Sequence, residues 1–352
     1  MRNRKQASKV RFVFGRFIAV CLIGGAAGVL GSVAAAAEKS ELVIAQQSGV
    51  GYIPMMIAER RHLIQKHAQN EGLGEISVKF VSLGGGSAMN TSLLSQSLDI
   101  AAGGLSPALL LWDKTNGAAK LAAAVSTMPE KLTIRNEKVR TIADLGSGDK
   151  IALPAVKVSD QARFLQMAAA KMYGITEYAR LDRFTVSLSH PDGFAAISSN
   201  QGINGHFTVS PYQEMEQKLP GAHTILSSYE VMGGPITATV YWTTSQFRDA
   251  NPKLYRAFLA GLNEGIEIAN RDKLAAAELY VEYAKSKLSA AEIHRIISDP
   301  DFYYSLKPHN VERFAEFLNS IGVLKRQATT EDMFFPEVFR MLAEKPPARS
   351  ER

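Results

Sequence analysis

The chain has 352 residues, 46% of them hydrophobic, with 40 Lys and Arg against 34 Asp and Glu and a single cysteine. Six of the basic residues (Arg2, Arg4, Lys5, Lys9, Arg11, Arg16) lie in the first sixteen positions with no acidic partner, so the remainder balances at 34 against 34 and gives no reason to expect a nucleic-acid partner. Cys21 also lies near the start, which leaves the rest of the chain without a disulfide or a cysteine-ligated metal.

The basic start is followed by an apolar run from Phe17 to about Val33 and then by Ala34-Ala35-Ala36-Ala37. A basic end, an apolar core of this length and small residues at the exit predict a secretory signal peptide over residues 1–37, cleaved after Ala37 to release a periplasmic protein. Gly24, Gly25, Gly28 and Gly31 weaken the alternative of a membrane anchor. Val20 precedes Cys21 where lipid attachment wants a small residue, which argues against lipidation. About 315 residues remain, enough for two ordinary domains.

Leu42 to Ala45 reads as a strand, followed by the polar loop Gln46-Gln47-Ser48-Gly49. Pro54 opens a helix in which Ile53, Met56, Ile57, Leu63 and Ile64 recur at helical spacing. A second strand, Ile76 to Val81, runs into Gly84-Gly85-Gly86-Ser87, where the Ser87 hydroxyl is expected to cap a helix through Leu98. Asp99 to Ala102 is a third strand, Gly103-Gly104 a turn, and Ser106-Pro107 the start of a Leu-rich helix; Leu121 to Val125 is a fourth strand. This alternation predicts a parallel sheet covered by helices.

The rhythm restarts at Lys150 to Leu153, with Ser159 or Asp160 capping a helix that stops at Gly174. Thr185 to Leu188 and Ile203 to Val209 are further strands; His190-Pro191-Asp192 and Ser210-Pro211 open helices. From Asn251-Pro252 onward the pattern is helical to Phe339, Gly322 ends the helix that begins near Asn310, and Pro346 to Arg352 is expected to fray.

In an open α/β sheet, ligands sit beyond the carboxyl ends of the strands. Those ends here are rich in Gly, Ser, Gln and Thr, and several lead into helix N-termini, whose free N–H groups and dipole favour an anion. Arg163, one turn into a helix, is the nearest candidate for a charged contact, whereas Tyr52, Tyr212 and Trp242 are equally explained as fillers of core or surface grooves. The motifs of serine hydrolases, zinc proteases and nucleotide-binding loops are missing. The seven histidines are scattered; His62 and His67 stand five apart, a poor spacing for two ligands on one helix face. No catalytic residue, metal site or cofactor is therefore expected.

The order of short motifs resembles the substrate-binding proteins of nitrate, sulfonate and taurine ABC importers, a group that includes pyrimidine-precursor binders. The stretches that carry it are Tyr52-Ile53-Pro54 with Ala58-Glu59, Gly84 to Ser87, Leu98-Asp99-Ile100-Ala101 running on to Ser106-Pro107, and Ile142-Ala143-Asp144-Leu145 ahead of Lys150-Ile151-Ala152. Ser159, Tyr173-Gly174 and Phe317-Leu318 to Gly322 follow in the same order. The resemblance implies a type II periplasmic-binding fold with two lobes, 38–128 with 235–352 and 129–234, each a mostly parallel sheet flanked by helices. It implies a monomer that closes on a small, anionic solute and delivers it to an ABC permease and ATPase. A pyrimidine-precursor binder, or a binding domain that feeds a membrane sensor, is the alternative. An enzyme on the same scaffold, such as a pyrimidine-synthesising relative, would use a cysteine-rich motif that the mature chain lacks.

Carried over residue by residue, the implied contacts are Gln46, Gln47, Tyr52, Ser87, Gly104, Ser106, Ser126, Thr127 and Ser159. Arg163 adds charge. Ile203-Asn204-Gly205-His206 replaces the family's Val-Asp-Ala-like segment, which makes His206 a candidate for setting ligand choice.

Overall fold

The structure is a computed structural model that describes residues 37–200 and 202–344. The predicted leader (except Ala37) and the predicted frayed tail lie outside the described residues. Among those described, no helix is long and apolar enough to cross a membrane.

Among the described residues, eleven strands form two sheets. The first sheet draws on β1 (Glu41–Gln46), β2 (Ser77–Ser82), β3 (Ile100–Gly103), β4 (Ala119–Thr127), and, much later in the chain, β10 (Thr237–Thr244) and β11 (Tyr303–Tyr304), in the order β11-β4-β10-β3-β1-β2. The second is built from β5 (Lys131–Ile134), β6 (Ile151–Leu153), β7 (Thr185–Ser187), β8 (Gly205–Thr208) and β9 (His223–Ser227), in the order β7-β6-β8-β5-β9. Strand alternation with helices predicts parallel neighbours, and β1 pairs parallel with β2 and β3, as β6 does with β7 and β8. The prediction needs one correction. β10 inserts antiparallel between β3 and β4, and β5 inserts antiparallel between β8 and β9. Each inserted strand begins where the chain has just crossed from the other sheet, so it enters against the direction of its neighbours.

The helices follow from local chemistry. Pro54 starts α1 (Ile53–Arg60), and His62 in the left-handed region splits it from α2 (Leu63–Asn70), so the single predicted helix is two. α3 (Gly86–Leu94) and α4 (Leu105–Lys114) follow β2 and β3. The Ser159 hydroxyl accepts from the Ala162 N–H and caps α5 (Asp160–Tyr173), which stops at Gly174. α6 (His190–Ser199) begins after the cap Ser189; α7 (Tyr212–Glu216) and α8 (Ser228–Met232) are short. α9 (Ser245–Ala250) leads to the twenty-residue α10 (Pro252–Arg271), which packs its apolar face on α1 and α2. α11 (Lys273–Ala284) leans on α1, and four further helices end the described chain at Glu344.

The two crossings between sheets are stitched together. The Glu130 N–H donates to the Ser228 hydroxyl at 2.9 Å, and the Ser228 N–H donates to the Glu130 carbonyl at 2.9 Å.

Candidate functional site

The strand ends of both sheets meet across a cleft. Its outer part is a space of about 810 Å³ with Gln46, Gln47, Phe80 and Tyr283 on one wall and Phe194, Tyr212 and Met215 on the other. Its inner part is a cavity of about 20 Å³ lined by Gln47, Tyr52, Gly104, Glu130, Ser159, Asp160 and His190, among others. Gln47, Ser48 and Gly49 line both spaces, so the two adjoin. Backbone and side-chain bonds cross the cleft: the Val50 N–H donates to the Ser210 carbonyl at 3.2 Å, and Tyr212 is hydrogen-bonded to Ser48.

Helix-terminus chemistry dominates the inner cavity, with an unexpected occupant. The N-terminus of α4 points its Leu105 and Ser106 N–H groups at the carboxylate of Asp160, at 2.8 and 2.6 Å. Asp160 is the first residue of α5, in the other half of the molecule. The position that favours an anion is thus filled by the chain's own carboxylate, and the Ser106 amide is already engaged there. Burial pushes Asp160 up to about 7 against the opposing pull of those two amides. Glu130 lies beside it and is raised well above the ordinary carboxyl range, first by burial and then by the charge of Asp160.

Gly104 and Gly85 let the two halves approach closely. A Cβ on Gly104 would stand 2.4 Å from the Asp160 Oδ2, and one on Gly85 would stand 2.8 Å from the Pro154 carbonyl oxygen. Gly104→Ala is therefore expected to wedge the cleft open, because Asp160 is short and doubly held. A loss of about 1–3 kcal/mol in urea unfolding and a larger radius of gyration in X-ray scattering would show this; an unchanged radius would contradict it.

The structure brings Gln47, Tyr52, Gly104 and Ser159 together at the inner cavity and places Gln46 and Gln47 on the outer wall. Tyr52 is buried, donates to the Gln47 Oε1 at 3.5 Å, and is pushed up by its burial. The other expected contacts lie elsewhere. Ser87 is exposed within α3 and does not cap it; the cap position is Gly85, because the helix starts two residues early. Ser126 donates to Thr239 within the first sheet, and Thr127 pairs with Thr237 and Tyr303 there. Arg163 is buried, with Nε donating to the Ser106 hydroxyl at 3.4 Å and Nη1 to Gln166 at 2.8 Å, so it joins the halves instead of facing the cavity. His206 is fully buried against Glu216 in the second half. The cleft histidine is His190, held by the Thr208 hydroxyl at 2.7 Å and kept neutral by burial, which lowers it to about 3. Sequence reasoning missed Glu130, Asp160, Gln161 and His190; the Ser189 and Ser159 caps beside two of them were the available signal. Among the described residues no group of three or more His, Cys, Asp or Glu is placed to hold a metal ion.

No curated protein matches the chain in sequence. The family model described as NlpA lipoprotein matches residues 49–177. Among solved structures, the alkanesulfonate-binding protein from Xanthomonas axonopodis pv. citri, bound to MOPS, is 18% identical with a TM-score of 0.66, the match covering 85% of this chain and 99% of that one. The periplasmic nitrate-binding protein from Synechocystis PCC 6803 is 13% identical with a TM-score of 0.65, over 87% of this chain and 89% of that one. The periplasmic aliphatic sulphonate-binding protein from Escherichia coli is 17% identical with a TM-score of 0.60, over 85% and 92%. With its two sheets, paired crossings and shared cleft, the chain carries the two-lobed α/β fold of the periplasmic sulfonate- and nitrate-binding proteins.

Proposed function

We propose that this chain is an extracytoplasmic solute-binding protein that captures a small solute between its lobes and delivers it to an ABC importer. The observation that carries this reading is the cleft of about 810 Å³, walled by both halves and adjoining an inner cavity between strand ends. The lobes are 38–128 with 235–352 and 129–234, hinged at the stitched crossings beside Glu130 and Ser228. The contacts proposed are Gln46, Gln47, Tyr52, Gly104 and Ser159. The leader directs export, with cleavage after Ala37, and the partners are a permease and its ATPase, served by a monomer without a catalytic step. Structural neighbours are named for alkanesulfonates and nitrate, which makes a small anion the first solute class. A pyrimidine precursor is the second, favoured by five aromatic rings (Phe80, Phe194, Tyr212, Tyr280, Tyr283) around the outer cleft.

Thermal unfolding tests the reading. With nitrate, bicarbonate, taurine, alkanesulfonates and pyrimidines, the bound solute is expected to add about 2.7 kcal/mol at a hundredfold excess over its Kd, because it binds only the folded chain. No rise in melting temperature with any of them would refute it.

A further inference from the structure

The inner cavity contains a carboxyl oxygen with nothing to bond. Glu130 is 1% exposed, lines the cavity, and has no hydrogen-bond partner at Oε2. Buried polar atoms are seldom left unpaired, and each such atom asks for an explanation. Protonation, which its burial favours, turns the unpaired acceptor into a donor that still needs a partner. A second acid, Asp160, lines the same cavity, and the basic side chain there, His190, is kept neutral by burial. Arg163, whose charge reaches Asp160, does not line the cavity and gives N–H groups to Ser106 and Gln166. An oxyanion at this place would face two carboxyl groups and no lining cation.

The cavity of about 20 Å³ has room for one water-sized group, and it adjoins the larger aromatic cleft along Gln47, Ser48 and Gly49. We infer that the solute presents a protonated primary amine at its inner end, donating to Glu130 Oε2 beside Asp160, with the rest of the molecule in the outer cleft. An ammonium is the size of water, carries three donors and neutralises the repulsion between the two acids. The inference rests on the solute-binding reading and adds the chemistry of the ligand's inner end.

Calorimetric titration of the exported protein with matched pairs tests it: taurine against ethanesulfonate, and 2-phenylethylamine against 2-phenylethanol. In at least one pair the amine is expected to bind about tenfold tighter or more, the scale of one charge-assisted contact. Glu130→Gln is expected to cut that preference to roughly threefold or less, with melting curves reporting that the variant is folded. The wild-type comparison stands even where the variant does not fold. Ethanesulfonate binding as tightly as taurine, with no gain from the phenyl pair's amine, overturns the inference and leaves solute binding intact; a cavity that holds only water gives this result. Retention of the amine preference in folded Glu130→Gln also overturns it. Binding of none of the four solutes overturns it too, and the broader thermal panel then decides solute binding separately.

Discussion

Replacing Asp160 with alanine is expected to destabilise the closed molecule by about 2–4 kcal/mol, lowering the melting temperature by roughly 5–10 °C. The Leu105 and Ser106 N–H groups give their bonds to this one carboxylate, in a place from which water is largely excluded. Each donor left buried and unpaired costs about 1–3 kcal/mol. Arg163 loses a nearby countercharge as well. Relief of the repulsion with Glu130 offsets part of the loss. Asp160→Asn keeps one acceptor oxygen and should lose less.

The same variant makes a second, sharper forecast. With Asp160 gone, the α4 N-terminus becomes an anion site in the ordinary sense. Millimolar sulfate should then raise the melting temperature of Asp160→Ala more than sodium chloride of equal ionic strength does. The wild type should show no such excess at this place, because its own carboxylate already holds the amides. Equal responses in the two proteins would mean that Asp160 is not the occupant that matters.

These expectations show which parts of the site were legible in the sequence. Features set by neighbours along the chain were readable: Pro54 at the start of α1, Ser159 as the cap of α5, Gly174 at its stop, and the apolar face of α10 after Pro252. Features set by distant partners were not. Asp160 follows a cap residue and reads as a favourable charge in a first helical turn; its bonds to residues 54 and 55 positions earlier exist only because two lobes meet. Gly84 to Gly86 suggests backbone laid open to a ligand, yet Gly85 abuts the Pro154 carbonyl and Gly86 abuts the Pro107 ring. Glu130 lies between Pro129 and Lys131, where a carboxylate looks solvated; burial comes from the two chain crossings that close over it. β10 depends on the chain returning to its first sheet, which no local period reports.

The pair His206–Glu216 makes the largest pH-dependent forecast. Both side chains are fully buried and hydrogen-bonded to each other. Burial pushes Glu216 up to about 9 and His206 down to about 3, so the folded pair keeps a single proton across that whole range. That count is the same whether the proton sits on the carboxyl or on the imidazole. In the unfolded chain the two groups titrate near 4.3 and 6.5. Between those values folded and unfolded forms each hold one proton, and the pair leaves stability flat. Above about pH 6.5 the unfolded chain has lost its proton and the folded chain has not, so stability falls as pH rises, by about 1.4 kcal/mol per unit and about 3 kcal/mol by pH 9. Below about pH 4.3 the unfolded chain holds two, and stability falls as pH drops. Glu216→Gln removes the shared proton: folded His206 stays neutral, the alkaline loss flattens by one proton, and stability instead begins to fall below about pH 6.5. Urea midpoints at pH 5.5 and 8.5 separate the two proteins. Asp160, Glu130 and His190 contribute equally to both, so their effect cancels in the difference. From pH 5.5 to pH 8.5 the wild type should lose stability while the variant gains it; parallel pH curves would mean that no proton is held between these two side chains.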